Sequence, residues 1–176
     1  MNVLEAFKQL EKIYNLVEKK NYTQLTSKSE LKKDSWLKFF YTFNDINFPT
    51  ATGIYIPLVS KDFISAYNIF IEDFGFKEAK ILQSKLAKII NTVGINGRPT
   101  GCNSEKINGI DHAIYEMKVG FTRSNKPIRV LYFPKQDSDG KRYLVLANLL
   151  IHTNKNLSAS ERNSGKNSYS LANLEK

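Results

Sequence analysis

Residues 112–151, which read HAIYEMKVGFTRSNKPIRVLYFPKQDSDGKRYLVLANLLI, decide the fold. Two short polar segments in this stretch are typical of tight turns: Arg123–Lys126 and Asp137–Gly140. The segments around them are rich in β-branched and aromatic residues, so they predict three consecutive strands. The predicted strands are His112–Val119, Ile128–Phe133 and Tyr143–Ile151. Because the third strand is almost wholly apolar, it should lie at the centre of the sheet.

The residues before this stretch predict a strand and two helices. Residues 54–58 alternate in the manner of a short edge strand. Residues 60–72 and 76–93 carry apolar side chains at helical spacing. Ser60 is a plausible N-cap of the first helix, and Gly75 breaks the chain before the second. From residue 53 the predicted order is therefore β-α-α-β-β-β.

The first fifty residues predict a helical extension. An amphipathic helix is indicated by an apolar seam of spacing four and three, formed by Val3, Phe7, Leu10, Tyr14 and Val17. A second helix is expected from about Glu30 to Phe43, followed by a connection that contains Pro49. We accordingly divide the chain into an N-terminal extension (1–50), an α+β domain (51–165) and a polar tail (166–176).

Composition limits the classes of function. The chain has 176 residues, 26 Lys and Arg against 17 Asp and Glu, and a formal net charge of +9. Such a balance favours nucleic acid, an anionic membrane surface or an acidic protein as partner, or is simply that of a basic protein. The single cysteine, Cys102, allows no disulfide framework within the chain. The first residues lack a signal-peptide pattern, and no apolar run reaches the ~18 residues of a membrane helix. We therefore expect a cytoplasmic protein with no membrane partner.

The strand sequences resemble those of the RelE/ParE superfamily of toxins, and its HigB-like branch most closely. The resemblance lies in Ile114–Val119, Ile128–Phe133 and the strand Leu144–Ile151, which runs into His152-Thr153-Asn154-Lys155. It covers roughly residues 53–165. Members show a "W/Y-E-L-R/K" strand, then an "R-x-x-Y" strand, and commonly have paired lysines where His152 and Thr153 stand here. The resemblance implies an α+β, RelE-like β-α-α-β-β-β domain with an antiparallel sheet packed on two helices.

The same resemblance implies the toxin of a toxin–antitoxin system. Its expected activity is metal-independent endonucleolytic cleavage of mRNA in association with the ribosome, which inhibits translation. The expected partners are mRNA, the ribosome and a cognate antitoxin protein that silences the toxin, and no cofactor is expected. Cleavage without a metal needs a base for the 2′-hydroxyl, cations for the phosphorane and an acid for the leaving oxygen. The sequence has no cluster of Asp, Glu and His with metal-ligand spacing, so no metal site is expected.

Four residues form the predicted catalytic set. If the turn is centred near Ser124, Lys118 and Arg129 lie opposite each other on antiparallel strands. An anion bound between them would relieve the repulsion, although two solvated side chains leaning apart are the alternative. His152 has the titration range suited to proton transfer, and Lys155 would be a second cation. Both could instead be ordinary surface residues at a strand end.

Further RNA contacts are expected from the basic residues of the same part of the chain. Between residues 118 and 166 there are ten Lys and Arg against three Asp and Glu. This excess suits RNA, and it equally suits an acidic antitoxin. The predicted RNA-binding residues are Arg123, Lys126, Arg142 and Arg162. Tyr132 should face away from Arg129 and pack in the core.

Two other classes of function remain open at this point. One is a non-enzymatic, ParE-like toxin that inhibits a target such as DNA gyrase, built on the same fold. The other is an inactive, toxin-like binding module whose N-terminal helices mediate assembly.

Overall fold

The computed structural model describes residues 34–42, 54–110, 112–151 and 156–173. It has two α-helices, a 3-10 helix and six strands in these ranges. In chain order they are a 3-10 helix Ser35–Phe39, β1 Tyr41–Thr42, β2 Tyr55–Val59, α1 Lys61–Ile90, β3 Ser104–Lys106, β4 Tyr115–Phe121, β5 Pro127–Gln136, β6 Arg142–Ile151 and α2 Ala159–Ala172.

The strands form one mixed sheet, ordered β1-β2-β6-β5-β4-β3. Strands β2 and β6 pair in parallel, and the other neighbours pair antiparallel. The α+β class is confirmed, whereas the prediction of a wholly antiparallel sheet is wrong. Tight turns make β5 antiparallel to both of its neighbours, β4 and β6. The chain between β2 and β6 passes through α1, and such a long connection permits parallel pairing.

The three strands predicted within residues 112–151 are confirmed as β4, β5 and β6, with shifts of up to three residues at their ends. The turn before β6 is held by Asp137, whose Oδ1 accepts hydrogen bonds from the backbone N–H groups of Asp139 (3.0 Å) and Lys141 (2.8 Å). In the turn before β5, Asn125 takes a φ of 59°, which Asn tolerates. The apolar β6 lies between β2 and β5, as its composition predicted.

Helix α1 also agrees with the sequence. Ser60 caps it by accepting a hydrogen bond at Oγ from the Phe63 N–H at 3.0 Å. At Gly75 the backbone leaves the helical conformation (φ 80°, ψ 169°), so two helical arms meet there, as predicted. Although α1 has 30 residues, no helix in the described ranges is long and apolar enough to cross a membrane.

The sheet is the middle of three layers, with a buried cluster on each face. The α1 face packs under α1 and includes Phe63, Phe70, Leu82, Leu86, Met117, Val130, Tyr132, Leu144 and Leu146. The α2 face packs under α2 and the 3-10 helix and includes Trp36, Phe40, Leu58, Ile114, Leu131, Phe133, Val145 and Ala147. Alternation along β5 and β6 assigns neighbouring residues to opposite faces.

The α-helix predicted over residues 30–43 is not found in its described part, residues 34–42. A single 3-10 turn buries Trp36 and Leu37, and the chain then extends as β1 along β2. The Asp34 carboxylate fixes the start of the segment because it accepts hydrogen bonds from the Ser138 N–H (3.1 Å) and Oγ (2.6 Å). These residues are therefore part of the folded domain, and β2, predicted to be an edge strand, is covered by β1.

The polar tail predicted from residue 166 is also not observed, because α2 spans Ala159–Ala172. A capping box starts this helix: Ser158 Oγ accepts from the Glu161 N–H, and Glu161 accepts from the Ser158 N–H at 2.6 Å. The helix packs through small residues, since it buries Gly165, Ser168 and Ala172. A Cβ added at Gly165 would lie 3.4 Å from Leu131 Cδ1, so this turn of α2 lies very close to the sheet.

Candidate functional site

The predicted pairing of Lys118 with Arg129 is confirmed, since the two residues lie directly opposite each other on β4 and β5. Each cation has its own neighbour, however. Arg129 Nη1 lies 2.9 Å from Glu116 Oε1. Lys118 Nζ lies 4.7 Å from the centre of the Phe121 ring. The protein thus relieves the repulsion between these cations itself, by an ion pair on one side and a cation–π contact on the other.

The ion pair between Glu116 and Arg129 is largely shielded from solvent. The exposed fractions of the two side chains are 12% for Glu116 and 14% for Arg129. Both side chains lie on the α2 face, because Glu116 is opposite Leu131 of that core and Arg129 is two residues before Leu131. A carboxylate and a guanidinium held together at low dielectric interact more strongly than the same pair in water.

The ion pair lies in the wall of a pocket of about 160 Å³. Strand β3, the β3–β4 loop, strands β4 and β5 and the start of α2 contribute to the wall. The lining residues are Glu105, Lys106, Ile107, Asn108, Glu116, Arg129, Asn156, Leu157 and Arg162.

Arg162, a predicted RNA contact, comes to this pocket from the first turns of α2. Its Nε and Nη2 donate hydrogen bonds to the Leu157 carbonyl at 3.3 and 3.0 Å, which fixes the guanidinium plane. Nη1 takes no part in these two bonds. It lies beside Gly109, because a Cβ atom built on that glycine would be 3.7 Å from Arg162 Nη1. The pocket therefore brings together two of the predicted site residues, Arg129 and Arg162, from distant parts of the chain.

The chemical groups of the pocket suit a phosphodiester. Guanidinium groups bind phosphate oxygens, and the pocket wall holds two of them, on Arg129 and Arg162. Of the Arg162 nitrogens, Nε and Nη2 donate to the Leu157 carbonyl, so Nη1 is the one that a phosphate would use. Lys106 adds a third cation, while Asn108 and Asn156 offer amides. A carboxylate such as that of Glu116 can accept a proton from a hydroxyl group. A base and cations for a developing negative charge are thus side by side.

The predicted turn residues lie at the end of the hairpin β4–β5. Arg123 forms an ion pair with Glu78 of α1, although the Arg123 side chain stays 65% exposed. Lys126 is exposed, and its backbone N–H donates to Thr122 Oγ1 at 3.1 Å. Neither residue lines the pocket at Arg129.

Arg142 lies far from Arg129. It begins β6 opposite Gln136, whereas Arg129 is opposite Leu150 near the other end of the strand. The eight steps between Leu150 and Arg142 correspond to ~27 Å along the sheet. There Arg142 lines a second pocket of about 280 Å³ together with Tyr55 and Ile95.

His152 and Lys155, the two remaining predicted catalytic residues, lie outside the described residues. In sequence they follow β6, whose last residue Ile151 is opposite Ile128, and they precede Asn156 of the pocket wall.

Tyr132 packs in the core of the α1 face, as predicted, and is fully buried. Burial raises the pKa of its hydroxyl to about 12, although a hydrogen bond with Ser104 acts in the opposite direction. Its ring stacks on Tyr115, with 5.6 Å between the ring centres. Tyr132 therefore takes no part in the pocket on the α2 face.

The sequence analysis did not assign Glu116 or Lys106 to the site. Glu116 could have been found, because it stands two residues before Lys118 and alternation puts both on one face. Lys106 gave no such signal, since β3 has only three residues and carries no apolar pattern.

Comparisons with protein-family models, with curated proteins and with solved structures find no match for this chain. Within the ranges described above, no three or more His, Cys, Asp or Glu residues are grouped so that they could hold a metal ion.

Proposed function

We propose that this protein is a toxin-type, metal-independent endoribonuclease that cleaves mRNA at the ribosome and is silenced by a cognate antitoxin. The observation that carries the proposal is the pocket in which the Glu116–Arg129 ion pair and Arg162 meet. The RelE/HigB-like character of strands β4 to β6 gives independent support from the sequence, and it supplies the ribosome and the antitoxin as expected partners.

In the proposed reaction the Glu116 carboxylate takes the proton of an RNA 2′-hydroxyl. The 2′-oxygen attacks the adjacent phosphorus, and the bond to the 5′-oxygen breaks, which leaves a 2′,3′-cyclic phosphate and a 5′-hydroxyl. Arg129 and Arg162 stabilise the negative charge of the phosphorane. The leaving oxygen needs a proton, and His152 or Lys155 are our candidates for this donor.

The excess of basic residues in the part of the chain that follows position 117 supports an anionic partner. The basic residues of positions 118–166 outnumber the acidic ones by ten to three. RNA would be attracted by this charge, and an acidic antitoxin that covers the same surface would exclude it. Both kinds of binding should weaken as salt concentration rises.

The test is cleavage of a defined RNA by the purified protein in the presence of EDTA. Glu116→Gln keeps the size of the side chain and should lower the cleavage rate at least ~100-fold, the range expected for loss of a general base. Arg129→Ala should lower it by a similar factor. Lys88→Ala, an exposed cation on α1, is the matched control and should cleave like the wild type.

Inducible expression in bacteria, with mapping of mRNA 5′ ends, extends the test to the cell. The proposal requires growth arrest with new cleavage sites, and both should be lost in Glu116→Gln. Growth arrest with intact mRNA would contradict the nuclease and favour inhibition of a target such as DNA gyrase. If growth is not arrested and the purified protein does not cleave RNA, the nuclease is excluded, and the toxin-like binding module is the remaining alternative.

A further inference from the structure

Phe121 is a large aromatic residue on the surface, at the turn end of β4, with an exposed fraction of 44%. A β-bulge decides which way it faces. In a regular strand, residues three apart lie on opposite faces. Here the register shifts between Lys118 and Gly120, so that Lys118 is opposite Arg129 and Phe121 is opposite Pro127. Phe121 therefore shares the α2 face with Lys118 and Arg129.

One cation lies on this ring, and other basic residues lie in the adjoining turn and on the far side of the strand. The Lys118 ammonium lies over it at 4.7 Å, which independently places both side chains on one side of the sheet. Lys126 and Arg123 follow in the turn, and both are exposed. On the far side of the strand, Lys85 of α1 lies against the backbone of Gly120. A single exposed aromatic residue needs no explanation by itself, so a binding role is indicated only by the basic residues beside the ring and by its position near the pocket.

The ring is close to the pocket of the proposed active site. Along β5, Pro127 stands two residues before Arg129, a distance of ~7 Å. On β4, Lys118 stands between Phe121 and Glu116, on the same face as the Glu116–Arg129 ion pair. A chain of nucleotides that crosses the pocket could therefore continue over Phe121 without leaving this face of the sheet.

We propose that Phe121 is a stacking platform for an unpaired base of single-stranded RNA, next to the nucleotide held at Arg129. The proposal rests on the proposed function for the identity of the nucleic acid. An aromatic ring stacks on any exposed base, whereas bases inside a duplex offer no open face. A base that stacks on this face would take the place of the Lys118 ammonium, which its long side chain allows to move to the phosphate of the same nucleotide. The substrate class is thus unpaired RNA, bound with little preference for sequence at this position.

The test is binding of a single-stranded 2′-O-methyl oligonucleotide, which cannot be cleaved through its 2′-oxygen, measured by fluorescence anisotropy. Phe121→Ala and Phe121→Leu should each weaken binding about 5- to 150-fold. Phe121→Tyr should bind like the wild type, because it keeps the ring. Phe121→Trp should also bind, and its exposed indole should be quenched by the oligonucleotide, whereas Trp36 is buried and gives a constant background. Unchanged thermal midpoints would establish that the variants fold.

Each other outcome overturns the inference in a recognisable way. If binding depends on Arg129 but Phe121→Ala binds normally, the stacking platform is wrong and the proposed function stands. If a duplex of the same sequence binds as well as the single strand, with the same loss in Phe121→Ala, base stacking is excluded. If the wild type binds no oligonucleotide but binds vesicles containing phosphatidylserine through Phe121, both the platform and RNA as ligand are wrong.

Discussion

The two faces of the sheet are covered in different ways. The α1 face packs under a helix of 30 residues that buries large side chains such as Phe63, Phe70 and Leu86. The α2 face packs under a helix of 14 residues that buries only Gly165, Ser168 and Ala172, with the 3-10 helix beside it.

A strip of charged side chains lies on the α2 face, formed by Glu116, Lys118 and Arg129, with Phe121 at its turn end. We therefore expect substitutions in the core of the α1 face to act mainly on stability, whereas the proposed site lies on the α2 face. The following substitutions test this division, beginning with the largest expected effect.

Phe70→Ala should cause the largest loss of stability, because it removes a side chain that is 2% exposed from the core of the α1 face. We expect the free energy of unfolding to fall by about 3–5 kcal/mol, measured by urea denaturation. The neighbouring residue Ile69 is 56% exposed, so Ile69→Ala is the matched control and should change stability far less. Equal losses in the two variants would contradict the assignment of the core.

Asp34→Ala tests whether the residues before β1 are part of the folded domain. The change removes the acceptor for the Ser138 N–H and Oγ and for Trp36 Nε1, at 3.4 Å. Loss of these bonds should cost about 2 kcal/mol in urea denaturation. Glu72→Ala, at an exposed position of α1, should change stability by less than about 0.5 kcal/mol. A stability like that of the wild type for Asp34→Ala would mean that residues 34–42 are dispensable for folding.

Tyr132→Phe should have a smaller effect at neutral pH, about 1 kcal/mol, because it removes the hydrogen bond with Ser104. Its pH dependence is more informative. The pKa of Tyr132 is raised to about 12 in the folded protein, against about 10 in the unfolded chain. The folded state thus holds this proton more tightly, and the resulting stabilisation is complete below pH ~10 and is lost as the pH approaches ~12.

Thermal denaturation between pH 8 and pH 12 should therefore show a shallower decline for Tyr132→Phe than for the wild type. Burial also raises the pKa of Tyr67, so the variant should keep part of the decline. Parallel curves for the two proteins would show that Tyr132 ionises in the same way in the folded and unfolded states.

Ser158→Ala should have the smallest effect, about 0.5–1 kcal/mol, because it removes one cap at an exposed helix start. Ser160 is exposed and stands two residues further along in the same turn, so Ser160→Ala is the matched control. It should leave the thermal midpoint unchanged or slightly higher. Faster hydrogen exchange in α2 for Ser158→Ala, without a change in α1, is the expected signature. Faster exchange in both helices would mean that the two faces do not open independently.

Local patterns in the sequence predicted the elements of the α1 face. The spacing of Leu82, Leu86 and Ile90 indicates a helix, and the turn residues around Ser124 indicate the hairpin of β4 and β5. These predictions succeeded because neighbouring residues carry the whole signal. The exact register was a different matter, because the β-bulge that sets Lys118 directly opposite Arg129 gave no signal in the sequence.

The α2 face could be predicted only in part, because its elements give weak local signals. Helix α2 packs through glycine, serine and alanine, so it shows no apolar stripe. Strand β1 has two residues, too few for any alternation. The pocket combines β3, β4, β5 and α2, so Glu116, Arg129 and Arg162 meet only through the tertiary fold.

Gly165 stands where α2 rests on the sheet. A Cβ at this position would lie 3.4 Å from Leu131 Cδ1 and 3.5 Å from Ile114 Cγ2, which is ordinary van der Waals contact, so an alanine would fit here. A larger side chain would have to lift α2 from the sheet. Arg162 stands one turn earlier on the same helix, so such a lift would move its guanidinium relative to Arg129. The size of residue 165 therefore limits the distance between two cations that it does not touch.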